Sequence, residues 1–329
     1  MQNKINFYVF ALILSLAACI TYNYVSQVEE QYTNPRLRLH KEIIDREAPS
    51  PYNYRVLVPW ITELSATIAC SIGKADYLYA WEIAYAIYDF ISLALLLTTL
   101  FVFLRIWYSV SLSMVGVFFC AALLPMSLRD HYFQPWSLIE AWFFCLAFLL
   151  SYKRNFSLLV MLTILAAFNR VTAIFIPLIY FLGSFRLNWI RERHYKKIMK
   201  ITLNFIFMLL SAIVVILFVR YFQGHQEHVI TISQLWRRNT NFFAMMLSTK
   251  HWVLFLGAGW IIAYRGWRES GVFLRYQTLL IPIYLIPVLI FGVWREVRLL
   301  LPLYPILIAL MLNPIQKEIA NQVTNSDKK

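Results

Sequence analysis

Apolar stretches long enough to cross a membrane alternate with short polar or basic segments along the whole chain. A helix of about 20 apolar residues spans the hydrocarbon core of a bilayer. Barrel strands would alternate polar and apolar residues, and that alternation is absent. The pattern predicts an all-α, polytopic membrane protein with about ten transmembrane helices. The predicted spans are 7–24, 77–103, 110–126, 137–150, two within 156–185, 201–219, 252–264, 278–293 and 299–312.

The apolar run 156–185 is interrupted by Asn169 and Arg170 and has basic residues at both ends, at 153–154 and 186–200. An arginine within hydrocarbon costs about 2.5–3.5 kcal/mol and marks a candidate functional site. Because basic flanks favour the cytoplasmic side, we expect a hairpin of two short helices. Arg170 would lie at its tip, in a water-filled recess near the outer face. One long tilted helix with a snorkelling arginine is the alternative.

The charge of the chain is strongly positive: 30 lysines and arginines oppose 17 acids, a net charge of +13. On the predicted topology the cytoplasmic segments hold 16 of these basic residues and only 4 of the acids. This asymmetry is typical of a membrane protein with a basic cytoplasmic side and argues against a nucleic-acid partner. We therefore expect a multi-pass protein of the bacterial inner (plasma) membrane with both termini in the cytoplasm.

The predicted domain organisation is simple. Residues 1–315 would form one transmembrane domain with a long first outer loop, 25–76, and residues 316–329 a cytoplasmic tail. Within the loop, residues 56–70 suit a helix lying on the membrane surface.

Metal and cofactor signals are weak. The four cysteines are scattered without metal-type spacing. His225 and His228 suit a metal pair only if they lie on a helix. A divalent metal is possible but not indicated, and no cofactor is predicted.

Unusual polar groups converge on the predicted outer side. They come from four segments: the first outer loop, Arg129-Asp130-His131, Asn169-Arg170 and 295–298. A shared outer cavity is the simplest explanation.

Three acids are candidates for catalysis. Asp45 or Asp130 could accept a proton from an attacking hydroxyl, although each could instead be a loop carboxylate, Asp130 paired with Arg129. Glu140, one turn into the fourth span, should face the bundle interior and pair with Arg170 or Arg129.

Three outward arginines, Arg55, Arg170 and Arg298, could hold a phosphate through their forked donors. Salt bridges that hold the outer ends of the helices together are the alternative for each. Glu140 and Glu296 would then orient the arginines. In the second span, Glu82 and Asp89 are seven residues apart and share one helical face, which should meet protein or water.

Four sequence blocks carry a resemblance to a known group of proteins. Residues 51–60, PYNYRVLVPW, look like the PYxYRxLxPW stretch of uncharacterised bacterial multi-pass proteins, which are similar to lipid-sugar-dependent GT-C glycosyltransferases. Residues 129–144 and 168–178 resemble two further blocks, D-x-Q-PWS-x-x-E and NRE-T. The first matches with shifted spacing, and Val171 replaces the acid of the second. Residues 296–302 are similar to the E-x-R-x-x-x-P start of a late span.

The resemblance implies a GT-C-like fold and a set of substrate-binding residues. GT-C enzymes take a sugar from a polyprenyl-phosphate carrier on the outer face, with a catalytic acid in a long first outer loop. The resemblance implies that this acid is either in the pair Glu29-Glu30 or Asp45. Carried over residue by residue, the blocks imply that the following residues bind substrate: Tyr52, Arg55, Arg129, Gln134, Asn169, Arg170, Glu296 and Arg298.

We therefore expect a cell-envelope glycosyltransferase that moves a sugar from a polyprenyl-phosphate-linked donor to an outward-facing acceptor, with the lipid-linked donor and membrane lipid as partners. A transporter or flippase of lipid-linked saccharide is the first alternative. Transporters often show repeated halves, and the sequence shows no repeat. A non-catalytic membrane assembly subunit is the second alternative. The sequence does not identify the sugar, the acceptor or any protein partner.

Overall fold

The computed structural model describes residues 2–26, 30–128, 134–228, 231–241, 246, 259–294 and 296–326. This part of the chain is helical, and its one isolated β-bridge joins Ser50 to His228. The helices are α1 (Gln2–Tyr24), α2 (Glu30–Ile44), α3 (Leu57–Gly73), α4 (Tyr77–Leu104), α5 (Val110–Leu128), α6 (Trp136–Tyr152), α7 (Phe156–Asn169), α8 (Phe175–Ser184), α9 (Asn188–Arg191), α10 (Tyr195–Gln223), α11 (Ile232–Thr240), α12 (Gly259–Glu269), α13 (Val272–Gln277), α14 (Leu280–Phe291) and α15 (Tyr304–Ser326). Short 3₁₀ turns cover Tyr52–Tyr54, Val171–Ile174 and Val297–Leu303.

Six segments of the described chain are long and apolar enough to cross a membrane, so the protein is a multi-pass helical membrane protein. These segments are Phe7–Tyr24, Tyr77–Leu104, Val110–Leu128, Tyr195–Gln223, Val272–Phe291 and Val297–Gln322. The predicted fourth, fifth and sixth spans coincide with shorter apolar helices, α6, α7 and α8. The predicted span 252–264 lies largely outside the described residues. The count of ten therefore stays a prediction.

The chain reverses direction at Arg170. Helix α7 ends at Asn169, Arg170 is extended (φ −165°, ψ 149°), and a 3₁₀ turn leads into α8. The rings of Phe156 and Tyr180 are 5.7 Å apart, whereas one continuous helix would separate these residues by about 36 Å at 1.5 Å per residue. The prediction of a short-helix hairpin is confirmed, and the alternative of one long helix is wrong.

Helix α6 lies at the centre of the bundle. Almost every residue along it is buried, which is expected of a helix that is apolar on all sides. It runs in the same direction as α4, because two contacts between them occur in the same order along both helices. The Tyr88 hydroxyl donates to the Pro135 carbonyl at 3.0 Å, and further along both helices the ring centres of Phe103 and Phe148 are 6.0 Å apart. By contrast, α10 buries few residues and lies at the periphery. The start of α6 therefore lies deep within the protein.

The described part of segment 25–76, predicted as the first outer loop, is more helical than its polar sequence suggests. Helix α2 was not anticipated, because its residues are mostly polar and Pro35 lies within it. Helix α3 agrees with the predicted surface helix in position. Its exposed face is apolar, with Ile61, Leu64, Ile68 and Ile72 at helical spacing. Such a face suits contact with lipid at the membrane surface.

A buried polar cluster fixes α2 against α4. The Arg36 guanidinium lies 3.8 Å from the Asp89 carboxylate and 3.7 Å from the centre of the Tyr85 ring. The ring of His40 lies 3.0 Å from the Tyr85 hydroxyl. Asp89 therefore faces protein, as expected, whereas Glu82 on the same helical face is exposed.

The last helix extends beyond residue 315, where the sequence predicted the end of the transmembrane domain. Helix α15 continues from Tyr304 to Ser326, so residue 315 lies within a helix and not at its end. Its apolar first half is buried, and residues 315–322 are exposed.

Helices α12 and α15 approach each other closely at Gly266. A Cβ atom at this position would fall within 3.0 Å of the Leu310 carbonyl oxygen, a backbone atom that cannot move aside as a flexible side chain can. The side-chain amide of Asn313 also donates to the Gly266 carbonyl at 3.3 Å. Close packing of this kind requires glycine at the contact.

We expect Gly266→Ala to lower the thermal denaturation temperature of the purified protein by several degrees. Overpacking of a close contact costs about 1–3 kcal/mol. Gly73→Ala is the matched control, since a Cβ there meets nothing within 4 Å. Equal denaturation temperatures for the two variants in detergent would contradict the close approach of α12 and α15.

Candidate functional site

Two arginines from distant parts of the chain meet on one glutamine. The side-chain oxygen of Gln134, just before α6, accepts a hydrogen bond from Arg55 at 2.9 Å and another from Arg298. Arg298 also donates to the Ser137 hydroxyl at 3.3 Å. The residues that start α6 thus hold two guanidinium groups side by side.

A third arginine, Arg170, is held one turn further along α6. Its guanidinium donates to one carboxylate oxygen of Glu140, and the Thr172 hydroxyl donates to the other. Asn169 fixes the hairpin tip to the same helix, because its side-chain amide donates to the Trp136 carbonyl at 3.1 Å. The break between α7 and α8 is therefore what brings Arg170 to α6.

The carboxylates of the site are matched to particular arginines. Glu140 is 3% exposed and pairs with Arg170, and Glu296 pairs with Arg298, which is 2% exposed. A buried charge must be paired or hydrogen-bonded, and these two arginines meet that requirement.

Arg55 is in a different environment. Its guanidinium lies 4.8 Å from the Trp136 ring and 5.5 Å from the Tyr52 ring, an arrangement that favours a cation over an aromatic face. Burial, together with the neighbouring cations Arg170 and Arg298, holds the pKa of Arg55 below its usual range. The local field at Arg55 therefore favours an added negative charge.

Arg55, Arg170 and Thr172 line a cavity of about 580 Å³, whereas Arg298 is not among its described lining residues; the volume is typical of a small-molecule site. Arg55, Arg170 and Thr172 provide its cationic floor. Its apolar wall comes chiefly from α14, and its rim is again basic. The described lining residues are Ser50, Pro51, Tyr54, Arg55, Arg170, Val171, Thr172, Ile174, Phe175, Arg220, Gly224, His225, His228, Tyr284, Pro287, Val288, Phe291, Gly292 and Leu299.

The rim of the cavity joins the first outer loop to the segment after α10. The Ser50 N–H donates to the Glu227 carbonyl at 2.9 Å, and the Ser50 hydroxyl lies 3.2 Å from Nδ1 of His228. The Tyr54 hydroxyl donates to the Gly224 carbonyl at 3.5 Å. These contacts place His228 beside the cavity mouth.

Most of the predicted site residues do come together. Tyr52, Arg55, Gln134, Glu140, Asn169, Arg170, Glu296 and Arg298 are linked by the hydrogen bonds, ion pairs and ring contacts above. Asp45 is exposed at the end of α2 and does not line the cavity. Arg129 and Asp130 lie outside the described residues. The choice between Asp45 and Asp130 as the base therefore stays a prediction.

The geometry at Glu140 suits positioning. Both of its oxygens are occupied, by Arg170 and Thr172, and the residue is absent from the described cavity lining. In this arrangement Glu140 holds Arg170 in place, and a catalytic role for it stays a prediction.

Sequence reasoning missed Arg220 and Tyr284 as lining residues, and it considered His228 only as a metal ligand. Arg220 resembles an ordinary basic flank of a span, and Tyr284 resembles an ordinary aromatic residue of one. Neither carries a sequence signal of its own.

Within the described chain, no three His, Cys, Asp or Glu residues cluster as metal ligands.

Comparison of the whole sequence and structure with protein-family models, curated proteins and solved structures gives no match. The functional argument therefore depends on the chemistry of the cavity.

We expect Glu140→Gln to destabilise the folded protein strongly, because it leaves Arg170 buried without its counter-ion. Breaking a buried pair costs about 3–5 kcal/mol. The matched control is Glu42→Gln, which removes an exposed pair with Arg38 worth about 0.3–0.5 kcal/mol. Thermal denaturation of the purified variants checks this, and a Glu140→Gln protein as stable as the control would show that the pair is not needed for stability.

Proposed function

We propose that the protein is a GT-C-like membrane glycosyltransferase that transfers a sugar from a polyprenyl-phosphate-linked donor to an acceptor on the outer face of the bacterial inner membrane. The observation that carries the proposal is one cavity with a guanidinium floor and an apolar wall. This combination matches a ligand with an anionic headgroup and a hydrocarbon chain.

The floor supports the phosphate part of the proposal. Arg55 and Arg298 share a single amide oxygen, and Arg170 lies on the same helix start. Three cations in one place repel each other, and two carboxylates offset only two of them. A phosphate group would neutralise the remainder through forked, charge-assisted hydrogen bonds.

The wall supports the lipid part. Pro287, Val288 and Phe291 line the cavity from α14, while Ile286 and Ile290 of the same helix are exposed. An apolar helix with an exposed apolar face lies against lipid in a membrane protein. A polyprenyl chain could therefore lie along α14 while its phosphate meets the arginines.

The proposed chemistry needs few groups. The arginines would hold the donor phosphate and stabilise the charge that develops on it as it leaves. A carboxylate, Asp45 or Asp130, would accept the proton of the acceptor hydroxyl. Glu140 and Glu296 would keep Arg170 and Arg298 oriented. Three of the four sequence blocks that resemble GT-C-like proteins contain Arg55, Arg170 and Arg298, which further supports the proposal.

The distribution of charge supports an outer location for the cavity. The opposite end of α7, α8 and α10 carries the basic segments 153–154 and 186–200, which favour the cytoplasm. In a protein without its native cysteines, Val171→Cys should react with a membrane-impermeant maleimide in intact spheroplasts. Val171 is 40% exposed and lines the cavity.

Lys153→Cys, at the other end of α7, is the control and should react only after the membrane is permeabilised. The reverse pattern would place the cavity in the cytoplasm and would contradict the proposed outer-face reaction.

Donor turnover separates the transferase from a flippase. Wild-type protein in proteoliposomes should release polyprenyl phosphate from a labelled lipid-linked sugar when a suitable acceptor is present. We expect either Asp45→Asn or Asp130→Asn to reduce this release by about 10²–10⁴-fold, as loss of a general base does, while donor binding persists.

The informative alternative result is movement of labelled lipid between leaflets without release of the polyprenyl carrier, as phosphate or diphosphate, from any donor tested. That outcome would replace the transferase with a flippase of lipid-linked saccharide. Glu42→Gln serves as the folded, charge-matched control, because Glu42 pairs with an exposed arginine away from the cavity.

A further inference from the structure

Three arginines line the cavity, Arg55, Arg170 and Arg220, and a fourth, Arg298, lies behind the described lining on Gln134. Arg170 and Arg298 each pair with a carboxylate, Glu140 and Glu296. Among the described residues, Arg55 and Arg220 have no carboxylate partner, and the described lining of the cavity contains no aspartate or glutamate. Two unmatched positive charges therefore face the cavity.

The two unmatched arginines lie at different depths on one path into the cavity. Arg55 is half-buried at the floor, where Gln134 and the Trp136 ring hold it. Arg220 is exposed at the rim, with its guanidinium 5.4 Å from the centre of the Tyr54 ring. Tyr54 precedes Arg55 in the chain, so one short segment contacts Arg220 and supplies Arg55, and both arginines line the same cavity.

We propose that the cavity selects a lipid-linked diphosphate, with two negative charges, over a lipid-linked monophosphate diester, with one. The inference rests on the proposed function and changes its donor from a polyprenyl phosphate to a polyprenyl diphosphate, so the carrier released would be the diphosphate. A monophosphate diester can neutralise only one of the two unmatched arginines. A diphosphate diester neutralises both, with one phosphate at Arg55 and the other at Arg220.

The same charge count has a consequence for the reaction. In transfer, the bond between the anomeric carbon of the sugar and the diphosphate oxygen breaks, and a bond from the acceptor oxygen to that carbon forms. The acceptor proton goes to the base, and the bond electrons stay on the departing lipid diphosphate. Its added negative charge develops between arginines that already face it, so the leaving group is stabilised without any movement of charge.

The test compares two synthetic lipids that differ only in this headgroup. These are the methyl ester of farnesyl phosphate, with one charge, and the terminal methyl ester of farnesyl diphosphate, with two. Binding to the full-length protein in nanodiscs is measured by calorimetry at fixed salt. We expect the diphosphate to bind about tenfold more tightly or better, as one additional charge-assisted hydrogen-bonded contact implies.

Variants of Arg220 assign the preference to the proposed pair. Arg220→Gln should reduce the diphosphate preference to near parity and leave binding of the monophosphate unchanged. Arg220→Lys should keep most of the preference, because it keeps the charge. Arg237→Gln is the matched control, since it removes the same charge from the same end of the protein, outside the described cavity lining.

Each other outcome has a distinct meaning. If both lipids bind equally and Arg220→Gln changes nothing, the diphosphate inference is wrong, while the proposed function stands. If neither lipid binds to the wild-type protein, both the inference and the proposed phosphate site are wrong. A preference for the monophosphate would also overturn the inference, because it would mean that only one cation meets the ligand.

Discussion

Three guanidinium groups are gathered at the start of α6 and repel each other, and the segments around them have to be held in place against this repulsion. Arg55 and Arg298 donate to the same oxygen of Gln134, and Arg170 pairs with Glu140 one turn away. Buried like charges are held together only when the fold constrains each of them. Here the first outer loop, the hairpin and the last 3₁₀ turn each supply one arginine, so the site exists only when all three segments are in place.

Much of this arrangement could be predicted from the sequence, because its signals are strong in a membrane context. Two polar residues within a long apolar run predicted the hairpin, and basic flanks predicted that both of its ends lie together. An intramembrane glutamate and an intramembrane arginine each required a partner. Glu140 and Arg170 were among the few candidates, and they pair in the structure.

The remainder could not be predicted, for physical reasons. Helix α2 carries a polar sequence and a proline, and it is fixed by tertiary contacts such as the Arg36–Asp89 pair. Arg220 and Tyr284 become lining residues only through the packing of α10 and α14 around the hairpin. Gln134 bridges Arg55 and Arg298, which lie 79 and 164 residues away from it in the sequence. No local sequence pattern predicts such a contact.

The shortness of the hairpin has a consequence for the surrounding lipid. Helix α7 has 14 residues and α8 has 10, so they extend about 21 Å and 15 Å, whereas the hydrocarbon core is about 30 Å thick. A bilayer adapts to a hydrophobic segment shorter than its core by becoming thinner around that segment. We therefore expect the leaflet on the side of the hairpin tip to dip beside it, which would bring lipid headgroups to the depth of Arg170. A lipid phosphate would then reach the arginines by lateral diffusion, with little need to be lifted out of its leaflet.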